Sequence, residues 1–477
     1  MHQNPASGRP SGIRAVETPR TVEYLGNHRC RAAAGRQAAF LTRKAARRRA
    51  PAIPFAASLL PGAATARLLR RLGVIVGAMA SHIPPAPAQP SPPATAFVDV
   101  TVVPMDANRV LRGQTVVVEG DRIVTVGPNA AVTIPAGTRR IAGQGRFLMP
   151  GLGEMHGHNP PRDASPEFVE AIYFLFVANG VTTVRSMLSA AGDLALRERV
   201  RRQQAEGWDL LKVQGSIRRG PYDAMVRTAR EIGIRFGGHV PADVGLVHAL
   251  ESRQETIDHL DGYIDYLEGN GTPVDSGRLE RAVALTRAAG TAVVPTMQVW
   301  DILTGAVTRA DALNRPELKY LPPAQVERWT QENEKRISRE KLGREGARQL
   351  AANRRALLKA LHEAGVPVLF GTDAPQQFSV PGFSVHRELK VMAEIGMSPY
   401  EILRSATRNI GEYFKDTDRF GTVAPGRRAD LILLEANPLV DVAHVARRAG
   451  VMVRGRWLPE AEIQRRLEAI ATRWRKS

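Results

Sequence analysis

Hydrophobic and polar positions change rhythm twice along this chain. Residues 96–148 fall into short alternating runs, among them "AFVDVTVVPM", "QTVVVEG", "RIVTVG" and "AVTIPAG", cut by turn residues. Period-two alternation predicts half-buried strands. The same style returns late, in "GTVAPGRRADLILLEANPL" and "GVMVRGRWL". The expected unit is a small β-sandwich domain built from both ends, 96–148 and 413–460, around a central domain.

Within residues 149–412 the rhythm is different. Apolar runs such as "VTTVRSM", "DLLKVQ", "IRFGGHV", "ETIDHL", "TAVVPTMQV" and "VPVLFGTDA" read as strands. Helical stretches separate most of them, for example "PYDAMVRTAREIG" and "RRALLKALHEAG". Strand–helix alternation predicts parallel βα units, and hence an α/β fold of the (β/α)8 barrel type. Residues 309–362 read as a charged, mostly helical insertion, and 461–477 as a C-terminal helix or tail.

Charge redraws the N-terminal part. Net charge is +19, yet residues 1–88 alone hold 14 Lys/Arg against 2 Glu. Residues 1–65 are therefore expected to be a disordered basic leader. It lacks interleaved aromatics, so nucleic-acid binding is not expected. Residues 66–88 resemble a signal peptide: Arg70 and Arg71, then "LGVIVGAMA", then "APA" at 86–88. A signal peptide opens a chain, so the expected translation start lies after the basic stretch. The expected location is periplasmic or secreted, and otherwise cytoplasmic. The apolar run is too short for a stable membrane anchor. Residues 89–95 close a Pro-rich linker. Cys30, the sole cysteine, lies in the leader, which excludes an intrachain disulfide and a thiolate metal site.

Metal-capable side chains recur where the central apolar runs end. "FLMPGLGEMHGHNP" brings His156 and His158, which share a face if the run is a strand. Lys212, His239, His259 and Asp373 close other runs. In a (β/α)8 barrel the strand C-termini converge on the face where active sites are built. One histidine at a strand end is usually structural. Four histidines and an aspartate so placed are hard to explain by packing. Imidazole and carboxylate donors suit Zn²⁺, with Mn²⁺, Fe²⁺ or Co²⁺ as other choices.

The ordered set "PGLGEMHGH", "DLLKVQ", "GGHVP", "TIDHLDGY", "VPT" and "GTDA" resembles the amidohydrolase superfamily. The nearest likeness is to its imidazolonepropionase-like and prolidase-like dipeptidase branch, over about residues 95–460. The resemblance implies that His156 and His158 bind the more buried metal. It implies that Lys212 is carboxylated and bridges two metals, and that His239 and His259 bind the second. Asp373 would bind metal and handle the proton. Tyr263, His386 and Glu388 are candidates for binding substrate, or equally a rim aromatic and helix-surface residues.

The implied activity is hydrolysis of a C–N bond in a small amide or dipeptide-like substrate by metal-activated hydroxide, with one or two divalent ions. Two alternatives stand beside it. One is a one-metal imidazolonepropionase-type cyclic amide hydrolase or deaminase. The other is a catalytically inactive metal-binding scaffold. A homo-oligomeric assembly stays open. The second alternative has a reason in the spacing. His158 and Lys212 are 54 residues apart, and a βαβ unit takes about 30 or more. That step holds one intervening strand, "VTTVR", where the family has two. The expectation is a barrel lacking its third strand, with a deletion near Arg197–Arg202.

Overall fold

The computed structural model describes residues 94–161, 163–187 and 210–475. The expected leader, signal-like segment and nearly all of the linker, and the expected deletion near Arg197–Arg202, lie outside the described residues.

Five strands come first: β1 (Thr95–Val102), β2 (Leu111–Glu119), β3 (Arg122–Pro128), β4 (Arg139–Ala142) and β5 (Phe147–Pro150). Six more follow, mostly one per βα step: β6 (Leu152–Gly157), β7 (Val181–Ser186), β8 (Leu210–Val213), β9 (Arg235–Gly238), β10 (Thr256–Asp258) and β11 (Ala292–Val294). The chain ends with β12 (Leu431–Leu434), β13 (Arg448–Val453), β14 (Arg456–Pro459) and the helix Glu460–Arg475.

Strands from both flanks share one eight-stranded sheet, ordered β14-β13-β12-β5-β1-β2-β3, with β4 paired to β1. The seam is β12 against β5, antiparallel, with Leu433 opposite Leu148. Alternate residues of these strands bury one face. Phe97, Val116, Ile123, Leu148, Leu431, Leu433 and Trp457 form a core of their own. Phe97 meets the Trp457 ring edge-on at 5.3 Å.

The central strands are parallel. β6 pairs with β7, and β8, β9, β10 and β11 pair in chain order. A further extended segment bridges β11 through Val293 and Val368. The Met155 N–H donates to the Phe370 carbonyl at 2.9 Å, which brings that segment back onto β6. Among the described residues no ladder joins β7 to β8.

Helices form where the apolar spacing says they should. Arg219–Ile232 buries Tyr222, Met225, Val226 and Ala229, one stripe of a 3.6-residue period, and stops at Gly233 in the left-handed region. Residues 309–362 are helical, the longest pieces being Pro323–Glu340 and Gly343–Glu363. Two expectations are corrected. "AVTIPAG" reads as a strand, but residues 131–137 are turn and irregular backbone. "TAVVPTMQV" reads as a strand throughout, but β11 stops at Val294 and Met297–Leu303 is helical. Thr296 turns the chain at φ 46°, and the buried Glu388 carboxylate accepts the Met297 and Gln298 N–H groups at 2.8 Å each. A carboxylate from a distant helix thus satisfies orphan donors of the first turn.

Candidate metal centre

His156 and His158 stand two residues apart at the end of β6, with ring centroids 5.3 Å apart. Lys212 lies inside β8, and His239 and His259 directly follow β9 and β10. Asp373 ends the segment that returns to β6. The six groups converge. The His156 and His259 rings are 4.1 Å apart and the His239 and His259 rings 4.7 Å. Lys212 Nζ is 3.2 Å from His156 Nε2, and Asp373 Oδ1 is 2.5 Å from His158 Nε2 and 3.5 Å from His156 Nε2. Such closeness is made by backbone. At Gly238, φ 128°, a Cβ would lie 2.7 Å from the Val213 carbonyl and 2.9 Å from Lys212 Cδ. Only glycine lets β9 approach Lys212 this closely.

Three imidazoles commit Nδ1 to a neighbour. His156 Nδ1 hydrogen-bonds Asp258 at 2.7 Å, His239 Nδ1 bonds Asp261 at 2.6 Å, and His259 Nδ1 bonds the Thr296 hydroxyl at 2.8 Å. This leaves Nε2 as the atom each ring can offer a metal, that of His156 lying against Lys212 Nζ, and outer partners of this kind orient metal-binding imidazoles. Burial pushes both His156 and His259 well below the ordinary histidine range, helped by the cationic groups around them. Both are therefore neutral at pH 7, the form that ligates metal. Burial likewise lowers the Lys212 ammonium, against the pull of Asp258 and Asp373. Burial alone would raise Asp258; the Arg185 guanidinium, Lys212 and His259 outweigh it and hold it low.

Three contributors are absent from the motif reading. Arg185, 7 % exposed, donates to the Met155 carbonyl at 2.6 Å and to both Asp258 oxygens at 3.3 Å, so it fixes the carboxylate that orients His156. Asp258 itself is the residue before His259. Glu154 accepts from the His156 N–H at 2.9 Å and from Thr372 N–H and Oγ1 at 2.9 and 2.6 Å. It thereby pins β6 to the Asp373 segment. Burial pushes it up to about 8, against those bonds. Glu154 shares sequence parity with His156 and His158, which was the available signal.

The three candidate substrate contacts are not brought into this cluster. Tyr263 is fully buried and its hydroxyl bonds Thr286 on the helix Ser276–Ala289. His386 Nε2 bonds Asn179 at 3.1 Å. Glu388 caps the Met297–Leu303 helix as described. Each is an inward-facing packing or capping group, and the order of residues along the chain does not reveal which face an α-helical side chain takes.

The donor set fits a divalent ion. His156, His158 and Asp373 each offer a ligand atom within 4.8 Å of the others, and imidazole and carboxylate are the donor types that zinc-like ions take.

Residues 222–458 match the sequence profile of the Amidohydrolase family. That part of the chain is thus similar to the family, in line with its motifs. The matched span contains His239, His259 and Asp373. Among curated relatives, adenine deaminase 3 of Rhizobium meliloti is 25 % identical over 373 residues, 74 % of this chain and 56 % of that protein. The chain therefore spans about half the length of that relative. Imidazolonepropionase of Streptomyces griseus is 26 % identical over 359 residues, 70 % of this chain and 88 % of that protein. Of solved structures, a Xaa-Pro dipeptidase with methionine bound in its active site superposes with a TM-score of 0.57 at 18 % identity, covering 77 % of this chain and all of that one. That likeness supports a TIM-like barrel with mixed α/β content.

Proposed function

We propose that this protein is a metal-dependent amidohydrolase that cuts a C–N bond in a small amide or dipeptide-like substrate. The observation that carries the reading is the convergence of His156, His158, Lys212, His239, His259 and Asp373 at the ends of five different strand segments. These residues would hold one or two divalent ions, with Zn²⁺ the first choice for imidazole and carboxylate. A bound ion of this kind lowers the pKa of water and polarises a carbonyl oxygen.

The chain's own groups do the rest. Asp258 and Thr296 hold the His156 and His259 rings in orientation. Asp373 accepts a proton from the attacking water and passes it to the leaving nitrogen. Gln376 Nε2 donates to Asp373 Oδ2 at 2.6 Å and keeps the carboxylate aimed. Burial drives Lys212 toward the free amine, the form from which a carbamate is made, and this supports carboxylation. The His158 side of the site opens on a cavity of about 250 Å³, with Phe168, Ile172, Leu321 and Trp329 among its walls, a size suited to a small organic substrate.

The same reading includes a β-sandwich made by the two flanks, a barrel short of its third βα unit, and export directed by residues 66–88. The shared sheet and the 54-residue step from His158 to Lys212 support the first two. Among the described residues no helix is long and apolar enough to cross a membrane.

Metal quantification on the full chain, with a hydrolysis screen of dipeptides and N-acyl amino acids on the same sample, tests the proposal. The expected result is one to two divalent ions per chain and turnover that a chelator abolishes and added metal restores. Bound metal without any turnover would leave only the inactive scaffold. A single ion with turnover confined to cyclic amides would move the reading to ring opening.

A further inference from the structure

The metal-capable side chains come from two separate sheets. His156 and His158 belong to the β6–β7 pair, whereas Lys212, His239 and His259 lie in or directly after strands of the four-stranded sheet β8–β11. The returning segment joins the two sheets on one side, Val368 to Val293 and Phe370 to Met155. On the other side no ladder joins β7 to β8 among the described residues. Ligand side chains must be held to within about 0.5 Å, so a site divided in this way gains from a tie through the barrel interior.

Arg185, on β7, makes such a tie. A guanidinium carries five N–H donors in a planar fork. Five acceptor oxygens face this one. Nε donates to the Met155 carbonyl at 2.6 Å, Nη1 to the Thr256 and Tyr413 hydroxyls at 3.3 Å each, and Nη2 to both Asp258 oxygens at 3.3 Å. Met155 is on β6, one residue before His156. Thr256 and Asp258 are on β10, and Asp258 directly precedes His259. One side chain thus grips both sheets beside a converging histidine of each. Asp258 also holds His156 Nδ1 at 2.7 Å. An ionised carboxylate only accepts, so the His156 proton sits on Nδ1 and Nε2 faces the cluster.

Arg185 is seated from behind. The Tyr413 hydroxyl donates to Glu255 at 3.2 Å, which leaves its oxygen free to accept from Arg185. Arg235 grips Glu255 at 2.7 Å, lies 3.9 Å over the Tyr413 ring and donates to the Tyr413 carbonyl at 3.1 Å. Arg235 and Glu255 are each about one-third exposed, at the wall of a cavity of about 640 Å³. Removing the Tyr413 hydroxyl therefore strands no buried charge.

We propose that Arg185, seated by Tyr413, is a positioning residue that ties the His156 strand to the Asp258 strand across the barrel interior, so that metal affinity depends on two side chains that never touch the ion. The inference rests on the metal-binding reading above and is independent of the substrate.

The test uses the full chain with Zn²⁺ as the probe. Affinity is measured by competition with a chromophoric chelator. The His156 tautomer is read on metal-free protein from imidazole ¹⁵N shifts. Arg185→Lys keeps the charge but has three donors at one point, too few to span both sheets. It is expected to weaken Zn²⁺ binding about 10- to 100-fold, the usual cost of losing an outer partner of a metal ligand. Tyr413→Phe keeps the ring under Arg235 and should weaken binding several-fold. In both, His156 should shift from the Nδ1–H form to a mixture of tautomers, which a loss of stability alone would not produce. Arg185→Lys is scored only if its far-UV circular dichroism matches wild type; otherwise Tyr413→Phe decides. A wild type that binds no ion, with the tautomer still shifting in the variants, keeps the tie and sinks the metal reading. Affinity within about twofold of wild type, or a His156 tautomer that does not change, overturns the proposal.

Discussion

His156 and His386 are both buried imidazoles held below the ordinary histidine range chiefly by burial. Their surroundings separate them. His156 has Asp258 on one nitrogen and Lys212 and Asp373 near the other. His386 has Asn179 on Nε2 and nothing on Nδ1, with Arg448 and Arg387 adding to the effect of burial. The His386 value falls to about 4 from 6.5. In that interval the unfolded chain binds the proton and the folded one does not, so stability is lost as pH falls from 6.5 toward about 4. Each pH unit of full mismatch is worth about 1.4 kcal/mol. Urea melts of wild type and His386→Gln at pH 7 and pH 4.5 should therefore diverge, with the wild type losing more on acidification. Parallel losses would show that His386 does not titrate there. At this scale the converging side chains were legible in the sequence, because each ends an apolar run. It did not show Arg185, Asp258 or Glu154, because a charged residue inside or beside a strand looks the same whether it meets solvent or a partner on the next strand.

Strand ends are where the site is made, and they are bent sharply. His259, Thr296 and Asp373 have φ of 62°, 46° and 63°, a region that L-residues enter at a cost on the order of 1 kcal/mol or more. Each turns the chain immediately after its extended segment and swings a side chain over the barrel mouth. The extended segments must in turn pack without intervening bulk. At Gly371 a Cβ would lie 2.6 Å from Val294 Cγ1 and 3.0 Å from the His156 nitrogen. Gly371→Ala is expected to cost about 1–3 kcal/mol, the usual range for overpacking, and to lower metal retention because β6 must shift. Thermal melts with metal quantification check this; unchanged values of both would show that the segment gives way freely. Element type was readable from periodicity wherever a stripe ran for three turns, as in Arg219–Ile232. The seven-residue helix Met297–Leu303 was not readable. A buried carboxylate from Glu388, some ninety positions later, sets where it starts.

At the scale of the molecule, the sheet that joins both flanks ties the barrel's beginning to its end. β12 sits between β5 and β13, and Leu431, Leu433, Met452 and Trp457 complete the core under β1 and β2. Deleting residues 429–477 leaves β5 as an unpaired apolar edge and opens that core, conditions that favour aggregation. The shortened chain is expected to be insoluble; soluble protein with native far-UV circular dichroism would count against this. That two distant stretches form one sheet was visible in their common style of short alternating runs. Which strands meet was not, since register at the seam is decided by side chains that pair only after the intervening residues have folded.

The seam also sets an order of events during synthesis. Leu148 leaves the ribosome long before its partner Leu433 is made, a wait on the order of tens of seconds at ordinary elongation rates. β1, β2 and β3 can pair with one another at once, but β5 cannot find β12 until the whole barrel has been translated. The last strands to emerge therefore close the fold. A chain whose translation stops early, even one that already holds all four converging histidines, Lys212 and Asp373, keeps its seam open and stays recognisable to chaperones and proteases as unfinished.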